Sequence, residues 1–314
     1  MRIVRRAVLG AAALALLLLG AACGGQPGGG GNGDGRTVAS TLILGGPPEC
    51  PERPFCIPGL RETYGIEFAD FVPLDVGGPL TVQALEADEI DVALLFSTSS
   101  VIGEKNWVVL EDDENLQNAE NITPVVRREA AQPALTERLN AVSRALTTEE
   151  ITALNARVEV SGDDPADVAA EFLAREGLLD GPTGSGAVTV GAVSFAENQI
   201  VAEMYAQTLE AAGYDVERQL ALESREIVQP ALAAGDIDVA PEYLSSLLLF
   251  VQADAEASGV PGAVRQKLEP ILAERGLLLL ESSKANDTNA FVVTRATAEE
   301  YGLVRMSDLA KPLP

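Results

Sequence analysis

Two stretches decide the fold: Ala84-Leu-Glu-Ala-Asp-Glu-Ile90-Asp91-Val92-Ala93-Leu-Leu-Phe96-Ser97 and Ala231-Leu-Ala-Ala-Gly-Asp-Ile237-Asp238-Val239-Ala240-Pro-Glu-Tyr243. Each reads as the end of a helix, a short acidic turn and a buried strand opening Ile-Asp-Val-Ala. Each strand delivers an aromatic ring at the same position, Phe96 in one copy and Tyr243 in the other. Upstream, Thr41-Leu-Ile-Leu44-Gly45 matches Val188-Thr-Val190-Gly191 as the opening strand of each copy. A short helix over Pro58–Thr63 ends at Tyr64-Gly65 before a strand around Phe71–Leu74. A longer helix over Ala196–Ala212 ends at Gly213-Tyr214 before the strand Val216–Leu220. Glycine closing a helix before the next strand is ordinary C-terminal capping. Each half therefore starts β-α-β-α-β, the pattern of a parallel sheet packed with helices. Two such lobes make a cleft, and in open α/β sheets ligands bind beyond the carboxyl ends of strands, where Phe96 and Tyr243 are expected. Aromatic rings are more often core, but the matched position favours the cleft for both.

The chain has 314 residues, which suits two lobes, and 47% hydrophobic residues, enough for real cores. Lys and Arg number 22 against 47 Asp and Glu, a net charge of −25. Such an acidic chain is not expected to bind nucleic acid or an anionic membrane surface. There is no histidine, which removes Ser-His-Asp and Cys-His catalysis and any His-ligated metal. Neither a metal nor a cofactor is expected.

The first residues carry an address. Arg2, Arg5 and Arg6 precede an apolar run, Ala7–Leu19, shorter than the roughly 20 residues of a bilayer span, so residues 1–22 read as a signal peptide. The end of that run, Leu19-Gly20-Ala21-Ala22-Cys23, resembles a bacterial lipobox, although Gly20 stands where an apolar residue is usual. The resemblance implies a lipid on Cys23, the alternative being an ordinary cleaved signal peptide. Residues 23–36 are rich in Gly, Gln, Pro, Asn and Asp and read as a flexible linker. Cys50 and Cys56 remain as an isolated pair in a Pro-rich loop, expected to form a disulfide outside the cytoplasm, with two free thiols as the alternative. Pro133–Ala145 and Asp167–Ala174 read as amphipathic helices, and Thr147-Thr-Glu-Glu150 as a capped helix start.

Several further runs are Val188 to Tyr205, Ser224-Arg225-Glu226, Gly235 to Tyr243 and Asp287-Thr-Asn-Ala290 leading to Leu303. Others are Gly45-Gly-Pro-Pro-Glu49, Gly77-Gly-Pro-Leu80, Ile90 to Thr98, Val108 to Asp112 and Pro124-Val-Val-Arg127. Together they resemble the substrate-binding proteins of osmoprotectant (glycine betaine, choline, carnitine) ABC importers. The resemblance implies an α/β, two-lobed, periplasmic-binding-protein-like (type II) fold with the ligand in the inter-lobe cleft. It implies a small zwitterionic or quaternary-amine ligand, an ABC permease as membrane partner, an extracytoplasmic monomer and no enzymatic activity. A different zwitterion or amino-acid derivative, a ligand sensor on the same fold, and a lipid-anchored hydrolase are the alternatives. The last is the weakest, for want of Gly-x-Ser-x-Gly or Ser-x-x-Lys.

The order of the halves departs from the family, in which the half opening at Val188 comes first; the chain looks circularly permuted. Lobe two is then expected from 37–119 plus 287–314 and lobe one from 120–286. The pocket departs as well. The family's cage of tyrosines is reduced here to Tyr243 and Phe96, with Asn289 and Glu120 or Asn121 at positions where tyrosines are expected. Two rings supply too little for micromolar binding, so carboxylates and amides must contribute if the ligand is a cation. The expected ligand-binding set is Tyr243, Phe96, Ser97, Thr98, Phe195, Glu197, Glu242, Asp287, Asn289 and Glu120. Backbone N–H groups at Phe195–Asn198 and Gly45–Glu49 are candidates to hold a ligand carboxylate.

Overall fold

A computed structural model describes residues 36–75 and 77–313. The signal peptide, Cys23 and the linker as far as Gly35 lie outside the described residues. Among these are ten strands: β1 (Ile43–Gly46), β2 (Asp70–Pro73), β3 (Val92–Phe96), β4 (Val108–Val109), β5 (Ile122–Arg127), β6 (Ala187–Val193), β7 (Asp215–Leu222), β8 (Val239–Tyr243), β9 (Leu277–Leu279) and β10 (Asn289–Val293). They form two five-stranded sheets, β2-β1-β3-β10-β4 and β7-β6-β8-β5-β9, one per lobe. The two orders are equivalent strand for strand. In each sheet the first three strands are parallel, and the last two run antiparallel to their neighbours. Phe96 and Tyr243 take equivalent register positions, opposite Asn289 on β10 and Ile122 on β5.

Local chemistry repeats along with topology. Asp91 accepts a hydrogen bond from the Ile43 N–H at 2.7 Å, and Asp238 one from the Thr189 N–H at 3.0 Å, each tying its turn to the opening strand. A Cβ on Gly45 would lie 2.4 Å from Ile90 Cδ1, and one on Gly191 2.5 Å from Ile237 Cδ1. Glycine at these two places lets the isoleucine before the central strand of each sheet press against the opening strand.

Both sheets are covered on both faces, and strand alternation distributes the core accordingly. In the second sheet Val126 and Val239 pack with Leu139, Phe172 and Tyr205, whereas Val125 and Ala240 pack with Leu247, Leu248 and Leu268 on the other face. In the first, Val92, Leu94 and Phe291 face Leu60 and Leu309, whereas Ala93, Leu95 and Val292 face Leu85 and Ile102. The helix Ala196–Ala212 has the expected bounds. The helix Thr148–Glu159 starts with Thr147 accepting from the Glu150 N–H. The helix expected over Asp167–Ala174 runs Pro165–Arg175, with Asp164 capping its start. The Pro58–Thr63 helix is a single α turn, Ile57–Gly59, continued as a wider π turn over Leu60–Tyr64. Cys50 and Cys56 are disulfide-bonded, with Cα atoms 5.3 Å apart.

The chain passes between sheets twice, between β4 and β5 and between β9 and β10. The passages touch: Asp287 N–H donates to Glu120 O at 3.3 Å, and Glu120 N–H to Asn286 Oδ1 at 2.7 Å. Near its two ends the described chain also pairs with itself, Val38 N–H to Lys311 O at 2.9 Å and Leu313 N–H to Arg36 O at 3.1 Å. Among the described residues no helix is long and apolar enough to cross a membrane.

Candidate functional site

The carboxyl ends of β3 and β8 open onto a cavity of about 450 Å³ that Phe96, the last residue of β3, and Tyr243, the last of β8, both line. Phe195, at the head of the Ala196–Ala212 helix, stands with its ring centroid 6.1 Å from that of Tyr243, tilted by 31°. Phe55 adds a fourth ring from the disulfide-closed loop. Glu120 and Asp287, from the two inter-sheet passages, supply negative charge, and Gln117, Asn118 and Asn289 supply amides. Arg53 and Arg225 complete the charged part of the lining.

The carboxylates are held by donors rather than by cations. Glu120 accepts from the Ser246 N–H at 3.0 Å and its hydroxyl at 2.9 Å; burial nevertheless raises its pKa above the ordinary value. Glu197 is 3% exposed and accepts from the Tyr243 hydroxyl at 2.7 Å and the Asn155 amide at 2.9 Å. Burial, followed by the negative charge of Asp287, pushes Glu197 up to about 7. Asp287 accepts from the Thr98 hydroxyl at 2.7 Å, and burial raises it too. The Tyr243 hydroxyl is raised well above its usual range by burial and by the charge on Glu197. Removing these groups from water disfavours their charged forms, so the cleft gains from an incoming positive charge.

Of the ten expected residues, the structure brings Phe96, Tyr243, Phe195, Glu120, Asp287 and Asn289 to this cavity. Thr98 and Glu197 line an adjoining chamber that shares Phe96, Phe195 and Asp287 with it. Glu242 and Ser97 are placed differently. Glu242 lines a neighbouring cavity of about 240 Å³ that shares Phe195, Arg225 and Tyr243 with the first, and its buried carboxylate is bound to Arg225 Nε at 2.9 Å and Gln229 Nε2 at 2.7 Å. Ser97 staples the second passage to β3: its hydroxyl donates to Asn286 O at 2.6 Å and accepts from the Thr288 N–H at 2.9 Å. Neither Gly45–Glu49 nor Ala196–Asn198 lines the cavity. The Asn198 amide side chain instead closes onto the Val193 N–H and Pro241 O.

Over residues 35–175 and 186–314 the sequence matches the family described as the substrate binding domain of ABC-type glycine betaine transport system, OpuAC. The chain belongs to this family. With the two mixed sheets, this makes the fold the two-lobed type II arrangement of periplasmic binding proteins. A glycine-betaine-binding protein of Pseudomonas aeruginosa is 32% identical over 152 residues, 47% of this chain and 48% of that protein. The carnitine transport binding protein OpuCC of Listeria monocytogenes is 30% identical over 122 residues, 38% of this chain and 39% of that one. The chain spans less than half the length of each of these relatives. The solved apo YehZ of Escherichia coli aligns with 87% of this chain and 86% of its own at 16% identity and a TM-score of 0.36.

Several lining or supporting residues went unread in the sequence, Phe55, Arg225, Asn155 and Asn118 among them. Phe55 carried a usable signal, because a ring next to Cys56 in a bridged loop is held in place. Arg225 stood inside a family-like run without an assigned role. Asn155 and Asn118 look like any other polar residue of a helix or a loop.

Proposed function

We propose that this chain is the extracytoplasmic substrate-binding component of an ABC importer for a small compound with a positively charged nitrogen, a quaternary-amine osmoprotectant of the glycine betaine or choline kind. The observation that carries the reading is the cavity at the matched strand ends, where four aromatic rings surround the space and two carboxylates border it. A cation stacked on one ring face gains about 0.5–2 kcal/mol, and micromolar binding needs about 8 kcal/mol, so rings and carboxylates must act together. The match to the OpuAC family and the ligands in the relatives' names support the same class.

In this reading 37–119 plus 287–314 form one lobe, 120–286 form the other, and the touching passages at Glu120 and Asp287 act as the hinge about which the lobes close. Closure would bring ring-bearing walls of both lobes onto the ligand and present a surface to the permease. The protein would work as a monomer, held to the membrane by a lipid on Cys23. The exchanged order of halves is part of the proposal: the family match breaks at residues 176–185, and the segments near the two ends of the described chain lie paired, which is where a permuted ancestor would have been joined. A thermal-shift screen of the exported chain against betaines, choline, carnitine and amino acids tests the ligand class. Stabilisation by at least one positive-nitrogen compound is expected; none across the set would overturn it.

A further inference from the structure

Beside the ring-lined cavity lies a chamber of about 260 Å³ whose charged walls are Glu159, Glu197 and Asp287, with no Lys or Arg among its lining residues. It adjoins the first cavity past Phe96 and Phe195, which line both. Asn155 also lines it. This residue is 3% exposed, and its Nδ2 donates to Glu197 at 2.9 Å and to the Thr98 carbonyl at 3.4 Å. Its Oδ1 has no partner among the described residues. A buried amide oxygen without a donor is uncommon and marks a place where something is missing.

The chamber therefore offers acceptors of one sign. Among the described residues no three carboxylates are close enough together to hold a metal ion. Acceptors spread that widely fit a larger organic cation that reaches several of them. A quaternary ammonium has no N–H and can satisfy none by hydrogen bonding, whereas a primary ammonium or a guanidinium donates in several directions. Burial holds both Glu197 and Asp287 above the usual carboxylate range, and a donor cation between them relieves both.

We propose that this chamber is a subsite for an N–H-bearing organic cation, a primary ammonium or guanidinium, at one end of an extended ligand whose other nitrogen lies among the rings of the first cavity. The proposal rests on the ligand-binding reading above and goes beyond it by requiring a second, differently built cation site.

Calorimetry on the exported chain tests it with glycine betaine, choline, a linear aminoalkyl-trimethylammonium and the bis-trimethylammonium compound of the same length. The aminoalkyl compound should bind at least about tenfold tighter than its bis-quaternary counterpart, the scale of one charge-assisted hydrogen bond. Glu159 is exposed on the chamber wall, so Glu159→Gln should fold normally, shrink that gap and leave choline binding unchanged. Equal affinity of the two long compounds, or a gap that survives Glu159→Gln, overturns the subsite. If the aminoalkyl compound binds and both single-nitrogen compounds do not, the subsite stands and the quaternary-amine reading fails. If no probe binds, both fail.

Discussion

Replacing Glu197 with glutamine keeps the shape of the most buried carboxyl in the cleft and removes its charge. The folded protein pushes this group from 4.5 up to about 7, by burial first and by the charge of Asp287 second. The sign follows from linkage. A carboxyl raised on folding favours the folded state while it is neutral, so its contribution is complete below its unfolded value and is lost as pH rises through the folded one. With this shift the wild type should lose roughly 2–3 kcal/mol between about pH 5 and about pH 8 from Glu197. Glu197→Gln cannot lose it. For a protein of this size that corresponds to a change of about 3–5 °C in the melting-temperature difference between the two proteins. Calorimetric melting of wild type and variant, unliganded, across that pH range is the assay. The variant should match the wild type at the acid end and exceed it at the alkaline end. A constant offset between the two would refute the assignment of Glu197 as a buried titrating carboxyl held against Asp287.

Other perturbations have equally definite outcomes. Tyr243→Phe keeps the ring but takes one donor from Glu197, and should cost about 1–3 kcal/mol of stability near pH 8 in denaturant titrations. Cys50→Ser opens the loop that carries Phe55 and Arg53; it should lower stability by about 2 kcal/mol and weaken ligand binding, measured by melting and by titration. Cys23→Ala should move the protein from the membrane fraction to the soluble extracytoplasmic fraction, and retention at the membrane would place the anchor elsewhere. A rearranged chain that opens at Ser185, joins Pro314 to Arg36 and ends at Glu176 should fold with the same circular dichroism and bind the same ligand, if the halves have been exchanged.

Much of this fold could be read because its two copies check one another. Ile90-Asp91-Val92-Ala93 and Ile237-Asp238-Val239-Ala240 each combine a turn carboxylate, an isoleucine against a glycine and a buried strand, and β3 and β8 follow from them. The direction of β5 and β10 could not be read in the same way. Their antiparallel pairing is set by where the passages enter each sheet, which no local pattern encodes. Within the site, the strand-end rings were legible because their positions follow from the sheets, and Glu120 and Asp287 were legible through the family resemblance. Glu242 lies in the neighbouring cavity beside Tyr243, and its pairing with Arg225 and Gln229 depends on a helix packed against β8, which the strand pattern does not encode. Asn155 was out of reach. Its importance lies in being packed against Glu197 and Thr98 from another part of the chain, with one acceptor left over.

The central claim is that the cavity between the two strand ends holds a positively charged nitrogen against aromatic rings. Isothermal titration of the exported chain with choline and glycine betaine, on wild type and Tyr243→Ala, addresses it most directly. The account predicts micromolar or tighter binding of at least one compound and a loss of about tenfold or more in the variant, the value of a stacked ring. Unchanged affinity in Tyr243→Ala, or no binding of either compound to the wild type, would contradict it.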